Sequence, residues 1–195
     1  MIDGNNASKF ISSDIVDNAQ RRLVMDDDVS GPAILSAKIS TGGRESAICL
    51  VKGNKLFSLE TIKTNDVSEF VDWIAMHIGR YRPNVINVSS TGIGAAVTDR
   101  LLDARYRVRG VSSGGKPSGR EAIEKYFNRR AEMWYWMRGW LVGASIIGDQ
   151  YLHNELKGME YSIDSKMRIK LMSLDDMARR GLGTCRSEAL SMCFF

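Results

Sequence analysis

The chain has 195 residues, 44% hydrophobic and 26% charged, which is enough apolar material for one sizeable core and unlike a disordered segment. Cys49, Cys185 and Cys193 are an odd number without a CxxC spacing, which argues against a disulfide scaffold. No apolar run reaches membrane length, MIDGNNASKF is too polar for a signal peptide, and a formal charge of +4 suits a polyanion partner without specifying one.

Residues 1–32 read as a lead and linker packed on the domain edge. A polar start is followed by SSDIVDNAQRR, a short helix capped by Ser13 or Asp14, and by an acidic turn at Met25 to Asp28 that Gly31 and Pro32 close. The main domain then covers 33–195. Ala33–Ile39, Ser46–Lys52 and Lys55–Ile62 are short strands separated by Gly42-Gly43 and Gly53-Asn54, an antiparallel meander. Asp66–Tyr81 carries Val67, Phe70, Val71, Ile74 and Ile78 at helical spacing, and Pro83 closes it.

The stretch 84–104 is a βα unit: Val85, Ile86 and Val88 form a buried strand, a small-residue turn follows Ser89, and a helix starts at Ile93. Sites in α/β sheets form at the carboxyl ends of such strands, which draws attention to Ser89. Tyr106–Val111 is a further strand, and SSGGKPSGR at 112–120 is a loop. Glu121–Val142 is predicted as the longest helix. Tyr151–Leu156 is a short helix, Met159–Ile163 and Met167–Met172 a hairpin, Leu174–Arg180 a helical turn or two, and Ser187–Phe194 the last helix. Together these elements predict an α/β fold, a central mixed sheet with helices on both faces.

Taken singly, the motifs are weak. GIGAAVTDRL could present helix N-terminal amides to an anion, or simply use its glycines for a tight turn. Lys116 and Arg120 offer phosphate contacts on a loop that otherwise reads as solvated. Arg129, Arg130 and Arg138 interleave with Trp134, Tyr135, Trp136 and Trp140, either as a stacking platform for nucleic acid or as a core helix. His77 and His153 have no partner at metal-ligand spacing.

Taken in order, the motifs resemble the C-terminal nuclease domain of tailed-phage large terminases. That family has a lead-in helix like FISSDIVDNAQRR and a V-D-x-x-G-x-G-A-x-V-x-D-R-L block, matched here by Val88 to Leu101. A G-G-K loop corresponds to Gly114 to Lys116, and N-R-R-A-E-M-W to Asn128 to Trp134. An S-x-D-D-M-x-x-R-G segment corresponds to Ser173 to Gly181, and a final P-D-x-A-D-A to Thr184 to Leu190. The resemblance spans nearly the whole chain and implies the RNase H-like fold.

It also implies a site that has lost its chemistry. Such nucleases hold two metal ions roughly 3.5–4 Å apart with carboxylates. Registered on Gly42, the family's first Asp falls on Ala37 and a later one on Arg44; a slip of one residue places Ser36 or Lys38 there instead. The second Asp is Ser89, and in the last motif the leading Asp is Cys185, leaving Glu188 as the inherited carboxylate. Glu188 is thus the metal ligand if any exists, with Glu45 and Asp99 as substitutes, and Mg²⁺ or Mn²⁺ is expected only if cutting survives. No GxxxxGK[ST] motor loop occurs, so the chain reads as a free-standing relic or as one domain of a longer protein.

The expected role is an inactive, terminase-like protein in phage DNA packaging in the host-cell cytoplasm. It would bind double-stranded DNA through Lys116, Arg120, Arg129 and Arg130, or terminase or portal proteins. The alternatives are an active metal-dependent endonuclease with unusual ligands, and a module that mimics the nuclease domain without touching DNA.

Overall fold

The computed structural model describes residues 8–26 and 29–195; part of the acidic turn, Asp27 and Asp28, and the first seven residues lie outside it. β1 (Ser8–Lys9) and α1 (Ser13–Arg21) open the chain. The meander follows as β2 (Ala33–Lys38), β3 (Ser46–Lys52) and β4 (Lys55–Ile62). Then come α2 (Val67–Tyr81), β5 (Val85–Ser89), α3 (Ile93–Asp103), β6 (Arg109–Val111), α4 (Arg120–Lys125) and α5 (Arg129–Leu141). The chain ends with α6 (Gln150–Gly158), β7 (Glu160–Ile163), β8 (Ile169–Leu171), α7 (Leu174–Arg179) and α8 (Cys185–Met192).

The five-stranded sheet has the order β4-β3-β2-β5-β6. The meander pairs antiparallel, and β5 and β6 add in parallel on the other side of β2. Alternation along each strand divides the apolar residues between two layers. Leu35, Ala37, Ile48, Leu50, Ile86 and Val88 pack with Phe70 and Ile74 of α2 and Val97 and Leu101 of α3. On the opposite face Ala47, Cys49 and Val51 pack with Trp134, Met137 and Leu141 of α5, Leu152 and Leu156 of α6, and Ala189 and Leu190 of α8. Phe10, Ile11, Val16 and Ala19 of the lead join this second layer.

Polar side chains fix α8 on the sheet. Ser36 Oγ donates to the Ala189 carbonyl at 2.5 Å, and Asn87 Nδ2 donates to the Met192 carbonyl at 2.7 Å. A second sheet, β1-β7-β8, covers the end of α5.

Two sequence expectations change. The helix expected over Glu121–Val142 is two helices, because Tyr126 is extended and bridges Ile169 while Asn128 caps a new start by accepting from the Ala131 N–H at 3.0 Å. The longest helix is therefore α2. Ser13 and Asp14 lie inside α1, where Ser12 is the N-cap.

Candidate functional site

β2 and β5 run side by side with Ala37 opposite Val88. One residue further along lie Lys38 and Ser89, on the face that carries Ser36 and Asn87 and meets α8. Ala37 points the other way: it is fully buried in the layer under α2 and α3. The register that puts Ala37 at the family's first Asp therefore points away from α8, and the one-residue slip to Lys38 is the register that reaches the α8 face. The physical reason is the strand period of two, which turns any slip of one into a change of face.

Ser89 is buried, and its Oγ accepts the Ile39 N–H at 2.9 Å, tying the end of β5 to the end of β2. The turn that follows is tight because of Gly94, where a Cβ would stand 2.1 Å from the Ser89 carbonyl oxygen. The glycines of GIGAAVTDRL thus serve close packing of a helix on a strand end.

Glu188 is fully buried in the first turn of α8. Its Oε1 accepts from Arg130 Nε at 2.7 Å and from Trp134 Nε1 at 2.9 Å, while its buried Oε2 has no hydrogen-bond partner among the described residues. Arg130 also donates to the Met172 carbonyl at 2.7 Å. It is 6% exposed and wholly engaged, which removes it from the set of cations expected to contact DNA. Trp134 is likewise a core residue, and of the aromatic stripe Trp136 is the exposed member.

Cys185 is buried, and burial pushes its thiol up to about 12, so it is a neutral, soft group. Of the substitute ligands, Glu45 is paired with Arg186 at 2.6 Å, and Asp99 is exposed on α3, whose helix packs against the opposite layer.

Lys38, the residue reached by the one-residue slip, carries an ammonium, the wrong charge for a metal ligand. It stands where two clefts meet. One, about 410 Å³, is lined by Ser113, Gly114, Asn128, Arg130, Lys170 and Asp175 among others. The other, about 220 Å³, includes Ser40, Thr41, Arg44, Thr91, Gly92 and Thr184. Burial draws the Lys38 ammonium below the ordinary lysine range, and Glu188 is the nearby charge that most opposes this.

The loop 112–120 borders the larger cleft because α5 holds it: the Arg129 N–H donates to the Gly115 carbonyl at 2.8 Å and the Arg130 N–H to the Ser113 carbonyl at 2.9 Å. Lys116 is exposed on that loop, Arg120 is exposed at the start of α4 rather than on the loop, and the Arg129 guanidinium stacks 5.0 Å from the Phe195 ring. Among the described residues no three His, Cys, Asp or Glu side chains converge so as to hold a metal ion. A further cleft, about 570 Å³, lies elsewhere; Glu121, Glu124, Lys125, Glu132, Tyr135 and Trp136 are among its lining residues, and its acidic side chains outnumber the one lysine.

A meander continued by two parallel strands, with helices on both faces and polar residues at the β2 and β5 ends, defines an RNase H-like α/β fold. Solved structures that share this fold include nuclease domains of phage large terminase subunits. The nuclease domain of the large terminase subunit gp2 of bacterial virus Sf6 superposes with a TM-score of 0.81 and 16% identity, over 95% of this chain and 97% of that one. The large terminase nuclease of thermophilic phage G20c with bound magnesium gives 0.64 and 11%, over 96% and 98%. The nuclease domain from Thermus phage P74-26 gives 0.63 and 11%, over 93% of each chain. No protein-family model and no curated protein sequence matches the chain.

Proposed function

We propose that the protein acts in phage DNA packaging as a terminase-nuclease-like module that holds DNA without cutting it, in the host-cell cytoplasm. One observation carries the reading: a cation, Lys38, lines the clefts at the carboxyl end of β2, beside the turn after β5 and the residue before α8, where an RNase H-like nuclease needs carboxylates.

The donor set does not fit a pair of divalent ions. Hard cations take anionic oxygen ligands and are poorly served by thiols. Here Ser89 is a neutral hydroxyl already used as an acceptor, Cys185 is a protonated thiol, and Glu188 has one oxygen bound by Arg130 and Trp134. A lysine ammonium beside them adds repulsion where metal charge has to be neutralised. DNA contact is supported by Lys116, exposed on a loop pinned to α5, and by Arg120, exposed at the start of α4, with Arg129 beside the loop.

Contact with a terminase or portal protein has separate support. Trp136 is 54% exposed in the acidic cleft with Glu121 and Glu124, a surface suited to a basic protein segment rather than to DNA.

A plasmid-nicking assay in Mg²⁺ and in Mn²⁺ tests the reading. Supercoiled DNA is expected to remain intact. Nicking that EDTA abolishes and that Glu188→Ala removes would overturn it and favour the endonuclease.

A further inference from the structure

Lys38 is costly where it stands. Its side chain is half-buried at the end of β2, and no carboxylate among the described residues lies within ion-pairing distance of its ammonium. The Glu188 carboxylate cannot fully answer it, since Arg130 already supplies a buried guanidinium at 2.7 Å. A partly desolvated cation whose nearest carboxylate is already shared with a buried guanidinium is incompletely compensated for the water it loses.

Its surroundings are arranged for an anion. Lys38, Thr91 and Leu174 line both clefts, which therefore adjoin as one trough, with Arg44 lining the smaller part and Lys170 the larger. Between them the walls offer neutral hydrogen-bonding residues, Ser113, Asn128, Thr91 and Ser173, against one acidic side chain, Asp175. Three cations spaced along a trough match a chain of phosphates better than a compact single anion.

We propose that this trough is a metal-independent phosphodiester site, in which the Lys38 ammonium grips a backbone phosphate of nucleic acid where an RNase H-like nuclease would place its metal ions. The proposal rests on the preceding reading that the protein holds DNA, and it adds the residue at which the strand is held. A fixed ammonium supplies positive charge but neither a Lewis acid nor an activated water, so the phosphate is bound and left whole. Binding should need no divalent cation.

The test is anisotropy of a fluorescein-labelled DNA duplex titrated with the full-length protein between about 50 and 200 mM KCl, in Mg²⁺ and in EDTA. The unmodified protein is expected to bind equally in both. Lys38→Met should weaken binding roughly tenfold at low salt and lower the log–log salt slope by about one, while Lys38→Arg keeps the slope. Lys125→Met, in the acidic cleft, should change nothing. Thermal unfolding of each variant separates lost contact from lost fold. Should Lys38→Met fail to fold, Arg44→Gln with Lys170→Gln at the ends of the same trough must reduce the slope instead.

No binding by the unmodified protein at low salt would overturn the DNA reading and this site with it. Binding by the unmodified protein that Lys38→Met, or in its place the double variant, leaves unchanged would overturn the trough alone. Binding lost in EDTA would overturn its metal independence.

Discussion

Glu188 and Arg130 meet where water is excluded, and each would be a poor occupant without the other. Removing one partner of such a pair leaves a buried charge uncompensated, at a cost of about 3–5 kcal/mol. Arg130→Met is therefore expected to destabilise by that order in urea unfolding, and Arg130→Met with Glu188→Met to recover much of the loss. A double variant as unstable as the sum of the singles would contradict this.

Glu155 presents the opposite case, a buried carboxyl without a cation bound to it. Its Oε2 accepts from the Ser187 N–H and Oγ, both at 2.7 Å, and so caps α8, while its buried Oε1 has no partner among the described residues. Burial raises its pKa to about 7, against bonds from Ser187 that lower it. Because the folded-state value lies above the unfolded one, the native state holds the proton that the unfolded state has released. Stability should fall as pH rises from about 4.5 to 7 and level off above, by at most about 3 kcal/mol from this group. Glu155→Gln keeps an acceptor for Ser187 and should flatten that slope, as urea midpoints at pH 5 and pH 8 will show.

At the scale of elements, the site depends on how closely α3 approaches the end of β5. A methyl at Gly94 would meet the Ser89 carbonyl at 2.1 Å, so Gly94→Ala should cost about 1–3 kcal/mol and loosen the Ser89–Ile39 tie. Gly79, exposed inside α2 with nothing within 4 Å of its would-be Cβ, should behave oppositely: Gly79→Ala is expected to stabilise by about 0.5–1 kcal/mol. Thermal melts of the two variants that move in the same direction would contradict both arguments.

Legibility followed the strength of the local signal. β3 and β4 were readable to the residue because Gly53-Asn54 demands a tight hairpin turn between them. α2 was readable from its apolar spacing, with Asp66 as its cap. The break between α4 and α5 was hidden because Tyr126 and Phe127 continue a helical apolar pattern. Asn128 followed by Arg-Arg-Ala-Glu was nevertheless an available cap signature.

The same limit explains Ala37. Gly42 and Gly43 are adjacent, both with positive φ, and either can anchor the pattern. Choosing the first put a core alanine in the site and left Lys38 out. Arg130 was misjudged for a different reason: periodicity finds a buried helix face, but only the fold shows that a guanidinium on that face pairs with Glu188.

For the whole molecule, a modest charge of +4 becomes meaningful through its distribution. Lys38, Arg44 and Lys170 line the trough at the sheet's carboxyl end, while Glu121, Glu124 and Glu132 line the acidic cleft. Such separation makes the trough the more favourable of the two surfaces for a polyanion. In the function proposed above, an RNase H-like scaffold is kept while a lysine stands in place of the metal chemistry. Crystals soaked in Mn²⁺ test this most directly, with data collected at the manganese edge and the K428A mutant of the Sf6 nuclease domain, solved with manganese, as the positive control. The account predicts no ordered anomalous peak among Lys38, Ser89, Cys185 and Glu188; a pair of peaks there, with Glu188 turned away from Arg130 to ligate them, would contradict it.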